Sequence, residues 1–148
     1  MKNISKNRGF TLIELLVVIA IIGVLSAIIM VSLQGAKSKS RDAKRVSDIA
    51  QIQLALEQYF DRNGVYPNAL GDLTSGSTVY ISVIPTDPIN DVTHLYRYYT
   101  DSNRFDYVLH ANFENANAAL TDALSNSPIS GPICDKTSPH FDYCMGPK

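Results

Sequence analysis

The hydrophobic and polar positions of this chain begin with one long apolar segment. Residues 10–33 form a run of 24 residues in which Glu14 is the only charged side chain. As a helix this run would be about 36 Å long, which is enough to cross the roughly 30 Å hydrocarbon core of a membrane. It is also longer than the ~7–15-residue apolar region of an ordinary secretory signal. The pattern therefore predicts a membrane-spanning helix.

Helical periodicity continues beyond the apolar run, because apolar residues recur every three or four positions. The resulting stripe consists of Ala43, Val46, Ile49, Ile52, Leu56 and Tyr59. The polar residues off this stripe are Arg45, Asp48, Gln51 and Gln58. We predict one helix from Phe10 to about Asp61, with Gly35 as its weakest point and Asn63-Gly64 as its stop. Its amphipathic half, residues 34–62, is expected to pack against a head.

The remainder, residues 63–148, is predicted to form that head. Glycine and proline punctuate residues 62–92, which indicates a looped connection with one short strand over Val79–Ile84. Two further strands are predicted at His94–Thr100 and Arg104–Glu114, joined by a turn at residues 101–103. A short helix is predicted over Asn117–Leu124, and no periodic pattern follows Ser125.

The strand predicted at Arg104–Glu114 has two different faces, because side chains alternate across a strand. The residues of its apolar face, which can cover the helix stripe, are Phe105, Tyr107, Leu109, Ala111 and Phe113. The other face carries Asp106, His110, Asn112 and Glu114, with Val108 as an apolar exception. This pattern predicts that His110 lies at the surface.

The residues around the start of the apolar run carry a resemblance to a known family. Basic residues Lys2, Lys6 and Arg8 precede a segment that reads GFTLIELLVV from Gly9 onwards. This segment resembles the leader and N-terminus of type IV prepilins and type II secretion pseudopilins. The resemblance implies that a prepilin peptidase cleaves between Gly9 and Phe10 and methylates the new N-terminus at Phe10. The segments at residues 66–67 and 84–88 resemble, more loosely, pieces of the major pseudopilin of type II secretion.

Glu14 needs a partner if it lies within a bilayer, where a carboxylate costs at least ~2.5–3.5 kcal/mol near the centre. The ammonium group that cleavage would create at Phe10 of a neighbouring subunit could neutralise it. Small residues Ala20, Gly23 and Ala27 share one helical face and allow close approach of a second helix. These features indicate a helix that packs against copies of itself. The alternative is a plain membrane anchor in which Glu14 snorkels to the interface.

Charge is unevenly distributed along the chain, although the net charge is only −1. A basic cluster follows the apolar run and consists of Lys37, Lys39, Arg41, Lys44 and Arg45. Basic residues therefore flank the run on both sides, and charge alone does not orient it. The family resemblance implies that the leader is cytoplasmic and the remainder outside. The basic cluster is either a contact for anionic lipids or acidic neighbouring subunits, or a solvated helix face.

The two cysteines, Cys134 and Cys144, both follow the apolar run. The implied orientation places them in an oxidising compartment, where disulfides persist. Nine residues separate them, so they lack the Cys-x-x-Cys spacing of redox and zinc sites. A disulfide would stabilise the head by about 2–3 kcal/mol in the chain-entropy model. The alternative is a pair of free buried thiols.

The sequence contains no recognisable catalytic motif. His94, His110 and His140 are scattered, and no glycine-rich phosphate loop is present. We therefore expect no catalytic residue, no cofactor and no metal site, and the protein is not predicted to be an enzyme. Asp87, Asn90 and Asp91 offer oxygen ligands for calcium, but a turn is the favoured interpretation of these residues.

The predicted fold class is α+β, a long N-terminal helix packed on a small antiparallel sheet with a disulfide-closed C-terminal tail. The expected parts are a cleaved leader (1–9), a transmembrane and assembly helix (10–33), an amphipathic helix half (34–62) and the head (63–148). By resemblance, the protein is expected to be a structural subunit of a type IV pilus or a type II secretion pseudopilus, polymerised through its N-terminal helix.

The resemblance also implies a location and partners. The subunit would be a single-pass protein of the bacterial inner membrane before assembly and part of a periplasmic or extracellular filament afterwards. Its partners would be other copies of itself, the prepilin peptidase, an inner-membrane platform protein and an assembly ATPase. The alternative function is a minor or ligand-binding pilin, for example a DNA-uptake receptor. Nucleic-acid binding is not expected, because the head is acidic.

Overall fold

The computed structural model describes residues 10–116, 118–121, 123, 129, 134 and 141–147. Predictions for the leader, including Gly9, and for most of residues 122–140 therefore lie outside the described residues. The chain divides into two compact units, Met1–Lys37 and Ser38–Lys148. One helix, α1, spans Leu12–Asn63 and has 52 residues. The prediction of a single long helix is confirmed, with each end shifted by two residues.

The end of α1 confirms the predicted stop at Asn63-Gly64. Gly64 adopts φ +72°, a left-handed conformation that glycine reaches without a steric penalty. Its N–H donates to the carbonyl of Phe60 at 2.7 Å, and the Asn63 side-chain amide donates to the carbonyl of Tyr59 at 2.7 Å. These two bonds satisfy carbonyl groups that the last helical turn would otherwise leave unpaired. Gly35, in contrast, does not interrupt the helix.

The first unit contains the apolar part of α1. The large hydrophobic side chains that the structure describes between Phe10 and Leu33 are exposed, with Leu12 at 87% and Ile28 at 65%. Among the described residues, this helix is the one that is long and apolar enough to cross a membrane. A helix that is apolar on every side requires lipid or other protein around it.

The second unit contains a three-stranded antiparallel sheet that packs on the helix. Its strands are β1 (Arg97–Thr100), β2 (Tyr107–Phe113) and β3 (Phe141–Met145), and β2 lies in the centre. The register places His110 of β2 opposite Arg97 on one side and Cys144 on the other. Two short 3-10 helices, Leu70–Leu73 and Ala118–Thr121, complete the regular structure of the described residues. The α+β prediction is confirmed.

Three details of the predicted secondary structure are wrong. Residues 79–84 form no strand, because the N–H groups of Tyr80 and Ile81 both donate to the carbonyl of Leu73 instead of pairing with the sheet. The helix predicted at residues 117–124 is a 3-10 helix at Ala118–Thr121. Strand β3 was not predicted, because its five residues lie between prolines in a segment without a longer periodic pattern.

The core lies between the amphipathic part of α1 and one face of the sheet. Ile49, Ile52 and Leu56 are fully buried and pack with a set of sheet residues. The buried core residues of the sheet are Tyr107, Leu109, Ala111, Phe113 and Tyr143. The predicted stripe is thus largely confirmed, but Ala43 is exposed. The prediction is also wrong for Phe105, which is 63% exposed because it precedes β2 and lies in the turn.

The opposite face of the sheet is also partly covered. Val108, Cys134 and Cys144 form a second small cluster there, and Val108 is fully buried. The disulfide between Cys134 and Cys144 is present, with a Cα–Cα distance of 6.0 Å. The apolar exception in the β2 pattern therefore has a structural reason, since Val108 packs under the disulfide.

Candidate functional site

Glu14 lies in the first turn of α1 and takes part in a capping box. Its carboxylate Oε2 accepts hydrogen bonds from the N–H of Thr11 at 2.9 Å and from the Thr11 hydroxyl at 2.7 Å. The N–H of Glu14 donates in return to the Thr11 hydroxyl at 3.3 Å. This reciprocal arrangement satisfies N–H groups that the start of a helix leaves unpaired.

The capping box was missed in the sequence, although the Thr-x-x-Glu spacing of residues 11–14 is its usual signal. It changes the interpretation of Glu14, because the acid stabilises its own helix even in a single chain. Phe10 lies one residue before Thr11 and is 79% exposed. The structure thus brings Phe10 and Glu14 to the same helix end, while Gly9 lies outside the described residues.

The three small residues of the apolar run, Ala20, Gly23 and Ala27, are exposed. A Cβ added at Gly23 would meet nothing within 4 Å among the residues that the structure describes. Small residues on one face of a helix allow close approach of a second helix.

The basic cluster after the apolar run contains one residue, Arg45, whose role neither prediction foresaw. Arg45 is fully buried, and its guanidinium lies among three carboxylates from separate parts of the second unit. It donates to Asp42 at 2.7 Å, to Asp87 at 2.6 Å and to Glu114 at 2.8 Å. The position off the apolar stripe suggested exposure, but a guanidinium satisfied on every side can be buried.

Neighbouring side chains extend this charge cluster. Arg41 donates to the carboxylate of Glu114, with Nε 2.7 Å from Oε1. Asp42 accepts hydrogen bonds from the backbone N–H groups of Glu114 at 3.0 Å and Asn115 at 3.1 Å. The cluster thereby ties α1, the loop that carries Asp87 and the end of β2 to one another.

The charges of the cluster shift the pKa values of Asp87 and Glu114. Hydrogen bonds from Arg41, together with those from Arg45, lower the pKa of Glu114 to about 2. Partial burial acts in the opposite direction, because it disfavours the charged carboxylate. Burial alone would raise the pKa of Asp87, but hydrogen bonds from Arg45 and the N–H of Ile89 hold it below its usual range. Both acids are therefore ionised at neutral pH, as a buried guanidinium requires.

Lys44 and Asp48 form an ion pair on the same helix, in which Lys44 is exposed and Asp48 is buried. The Lys44 ammonium lies 3.1 Å from the Asp48 carboxylate, which also accepts a hydrogen bond from the Tyr96 hydroxyl at 2.8 Å. Lys37 and Lys39 are exposed. The basic cluster of the sequence is thus divided. Its two arginines form ion pairs with carboxylates of the second unit, and its first two lysines are exposed to solvent.

His110 is buried, so the prediction of a surface histidine is wrong. Its Nε2 lies 3.1 Å from the carboxylate of Asp142 on the adjacent strand. Burial lowers the pKa of His110, which keeps the imidazole neutral at neutral pH, although Asp142 opposes this effect. The residue faces the side of β2 that the disulfide cluster covers.

Asp87, Asn90 and Asp91 form a turn, as the sequence favoured. Asp87 uses its carboxylate for Arg45 and for the N–H of Ile89, and Asn90 adopts φ +54°. The carboxylate of Asp91 accepts hydrogen bonds from Thr93 and His94. Within the part of the chain that the structure describes, no group of His, Cys, Asp and Glu side chains has the arrangement of a metal site.

Comparison with known proteins identifies relatives of this chain. Residues 4–30 match the family model described as a prokaryotic N-terminal methylation motif. The chain is 38% identical over 102 residues to the type II secretion system core protein G of Escherichia coli K12, which covers 60% of this chain and 70% of that protein. No solved structure shows a significant match.

Two further relatives match over shorter segments. The type II secretion system core protein G of Vibrio cholerae serotype O1 is 42% identical over 67 residues, or 45% of this chain and 46% of that protein. The type IV major pilin protein PilA of Myxococcus xanthus is 35% identical over 69 residues, or 45% of this chain and 31% of that protein. The similarity therefore includes both secretion proteins and a pilin.

Proposed function

We propose a structural function for this chain, which belongs to the family of type IV pilins and type II secretion pseudopilins. Proteins of this family are structural subunits of filaments. The proposed role is that of a subunit of a type IV pilus or a type II secretion pseudopilus. The observation that carries this proposal is the methylation motif, which overlaps the start of a helix whose described large hydrophobic side chains up to Leu33 are exposed.

The exposed apolar part of α1 would be covered by lipid before assembly and by other helices afterwards. Before assembly, lipid would surround residues 10–33, and the chain would be a single-pass protein of the bacterial inner membrane. In the filament, the helices of other copies would replace the lipid. Neighbouring helices would then keep the apolar surface of residues 10–33 away from water, as lipid did before assembly. The filament itself would be periplasmic or extracellular.

Processing would create the N-terminus that takes part in assembly. We expect a prepilin peptidase to remove residues 1–9 by cleavage between Gly9 and Phe10 and to methylate Phe10. Phe10 precedes the first helical turn and is exposed, which suits an enzyme that must reach the peptide bond before it. Cleavage frees an amine with a reference pKa of ~7.7–8.0, so the new N-terminus is largely cationic at neutral pH.

Glu14 is the proposed partner of that cation on a neighbouring subunit. At about 4 Å and an effective dielectric constant of about 20, the attraction is about 4 kcal/mol before the cost of desolvation. In the single chain, the Glu14 carboxylate is occupied by Thr11. Its two oxygens have about four acceptor sites, so Glu14 can keep the capping box and accept an ammonium group as well. The pair would fix the axial register between subunits.

Ala20, Gly23 and Ala27 are the proposed contact face between helices. Their exposure and small size let the backbones of two helices approach closely. The proposed parts of the subunit remain a leader (1–9), an assembly helix (10–33), an amphipathic helix half (34–62) and a head (63–148).

The assembly machinery would be separate from this chain. We propose that an assembly ATPase and an inner-membrane platform protein drive polymerisation, since the sequence has no phosphate-binding loop. No catalytic role and no cofactor are proposed for the subunit itself. The similarity to filament proteins supports this interpretation.

The DNA-uptake alternative receives less support from the contacts of the head. Binding of a nucleic-acid backbone needs several cationic groups that are available for phosphates. Arg41 and Arg45 are paired with carboxylates, and Lys44 lies beside Asp48. Two exposed lysines, Lys37 and Lys39, remain from the basic cluster.

Intact-mass measurement of the chain from membranes and from sheared filaments tests the proposed processing. We expect the loss of residues 1–9 and the gain of one methyl group in both fractions. A Gly9→Leu variant is the control, because blocked cleavage should leave the full-length chain in the membrane fraction alone. Assembled filaments that still contain Met1 would show that the proposed processing is wrong.

A further inference from the structure

A groove at the C-terminal end of α1 has no role in the proposed assembly. Its volume is about 320 Å³, within the usual size of sites for small molecules. The rings of Tyr59 and Tyr80 contribute to its wall, with their centroids 5.2 Å apart and their planes inclined by 55°. Both tyrosines are half-buried, so each ring is held in place by the core and still presents part of its surface.

Polar groups that both donate and accept hydrogen bonds surround these rings. The Tyr80 hydroxyl accepts a hydrogen bond from the Asn63 side-chain amide at 3.1 Å, and its own O–H remains able to donate. Asp72 uses Oδ2 for the backbone N–H groups of residues 68 and 69, which leaves Oδ1 as an acceptor. Among the described residues, none hydrogen-bonds the side chains of Arg62, Ser77 or Thr78.

The composition of the groove excludes two classes of ligand. A polyanion needs several clustered cations, and the groove has one guanidinium, at Arg62, with one carboxylate, at Asp72. A purely apolar ligand would leave the hydroxyl, carboxylate and guanidinium groups without partners. A ligand with hydroxyl groups meets both requirements, because each hydroxyl donates one hydrogen bond and accepts others.

We propose that this groove binds one sugar ring of a carbohydrate. The apolar C–H face of a pyranose would lie against Tyr80 and Tyr59, since an aromatic ring offers a broad apolar surface beside a polar tip. Its hydroxyl groups would donate to Asp72 and accept from Arg62, and the hydroxyls at residues 77 and 78 would supply further bonds. This site is separate from the exposed apolar helix and goes beyond the structural function.

Amide chemical shifts of the isotope-labelled full chain test the proposal directly. The chain is kept in micelles of a zwitterionic detergent, because a detergent with a sugar head group would compete. Cellotriose and chitotriose, which are both uncharged, are titrated separately to about 20 mM, and trigalacturonic acid, a polyanion, is the negative control. We expect at least one of the two uncharged sugars to shift the amide of Gly76, which lines the groove, and to leave that of Gly146 unchanged. One ring and few polar contacts predict a dissociation constant of about 1 mM.

Substitutions in the groove assign the shift to this site. Tyr80→Ala should weaken binding about tenfold, and a Ser77→Ala, Thr78→Val double variant should weaken it about threefold without touching the core. Ser102→Ala, in the hairpin turn, is the matched control and should bind normally. The proposal is wrong if neither uncharged sugar shifts Gly76, or if the polyanion shifts it as strongly as they do. It is equally wrong if the double variant binds as tightly as the unaltered chain, whatever happens to the fold of Tyr80→Ala.

Discussion

Arg45 holds together three segments of the head that are distant in sequence. Its guanidinium contacts Asp42 on the same helix, Asp87 in a loop and Glu114 at the end of β2. Each acid keeps a buried cation neutralised, and the cation in turn permits burial of the acids. Removal of one member therefore leaves unpaired charge inside the head.

Arg45→Met should destabilise the second unit by about 3–5 kcal/mol, because it leaves buried carboxylates without their partner. Lys44→Met, one residue earlier on the helix, is the control. Lys44 is largely exposed, and the loss of its pair with Asp48 should cost about 0–1 kcal/mol. Urea unfolding of the full chain in detergent measures both. Equal destabilisation by the two variants would show that the buried cluster does not stabilise the head.

Acid should weaken the head through Glu114, whose folded-state pKa is lowered to about 2. An acid with a depressed pKa stabilises the fold fully above its unfolded pKa of ~4.3, and this contribution is lost as pH falls towards the folded pKa. The free energy of unfolding should therefore decrease between about pH 4.5 and pH 2.

Glu114→Gln identifies that contribution. The variant should be less stable at neutral pH and should lose less free energy of unfolding over the same acid range. Asp61→Asn, which changes an exposed acid of α1, should follow the pH profile of the unaltered chain. A Glu114→Gln profile parallel to the original would mean that other groups cause the acid sensitivity.

The secondary-structure elements differ in how well local sequence specifies them. Helix α1 was predicted to within two residues at each end, because its periodicity and its Asn63-Gly64 stop are local signals. Strand β2 also has a local signal, its strict alternation. Strand β3 has only five residues, and it forms because β2 offers backbone groups for pairing over Leu109–Phe113.

The candidate sites also differ in whether a local sequence signal specifies them. The peptidase site and Glu14 were predicted from a contiguous motif, but the Arg45 cluster was not. Arg45 lies off the apolar stripe, and its partners Asp87 and Glu114 are 42 and 69 positions away. Burial of such a residue depends on charges that only the fold brings together. His110 was misplaced because its face of β2 is largely polar, although the apolar exception Val108 on the same face was a sign that this face is covered.

The disulfide joins Cys134 to β3, the strand that the local sequence specifies least. Substitution of both Cys134 and Cys144 by serine should lower the free energy of unfolding by about 2–3 kcal/mol, for a sequence separation of 10. A reductant should have the same effect on the unaltered chain and none on the double-serine variant. Unfolding in urea with and without dithiothreitol makes the comparison. If reduction leaves the stability of the unaltered chain unchanged, the bridge does not support the head.

At the scale of the whole molecule, the first unit has an apolar surface that it cannot bury by itself. The second unit buries a cluster of apolar side chains in a core, whereas the large hydrophobic side chains that the structure describes in the apolar part of α1 are exposed. Such a surface is stable only in lipid or against other protein. In the proposed account, lipid covers this surface before assembly, and the helices of other copies cover it in the filament.

The most direct test of the filament account is the amount of protein in sheared filaments when Glu14 is replaced by glutamine in the natural host. Glutamine keeps the shape and part of the capping box but removes the charge that would pair with Phe10 of a neighbour. Membrane insertion and the loss of residues 1–9 should be normal, and filament protein should fall at least about tenfold, as expected if a pair of ~4 kcal/mol is removed and its desolvation cost recovered. Asp61→Asn, on the same helix, should assemble normally. Normal filament levels with Glu14→Gln would contradict the proposed pairing and the assembly mechanism built on it.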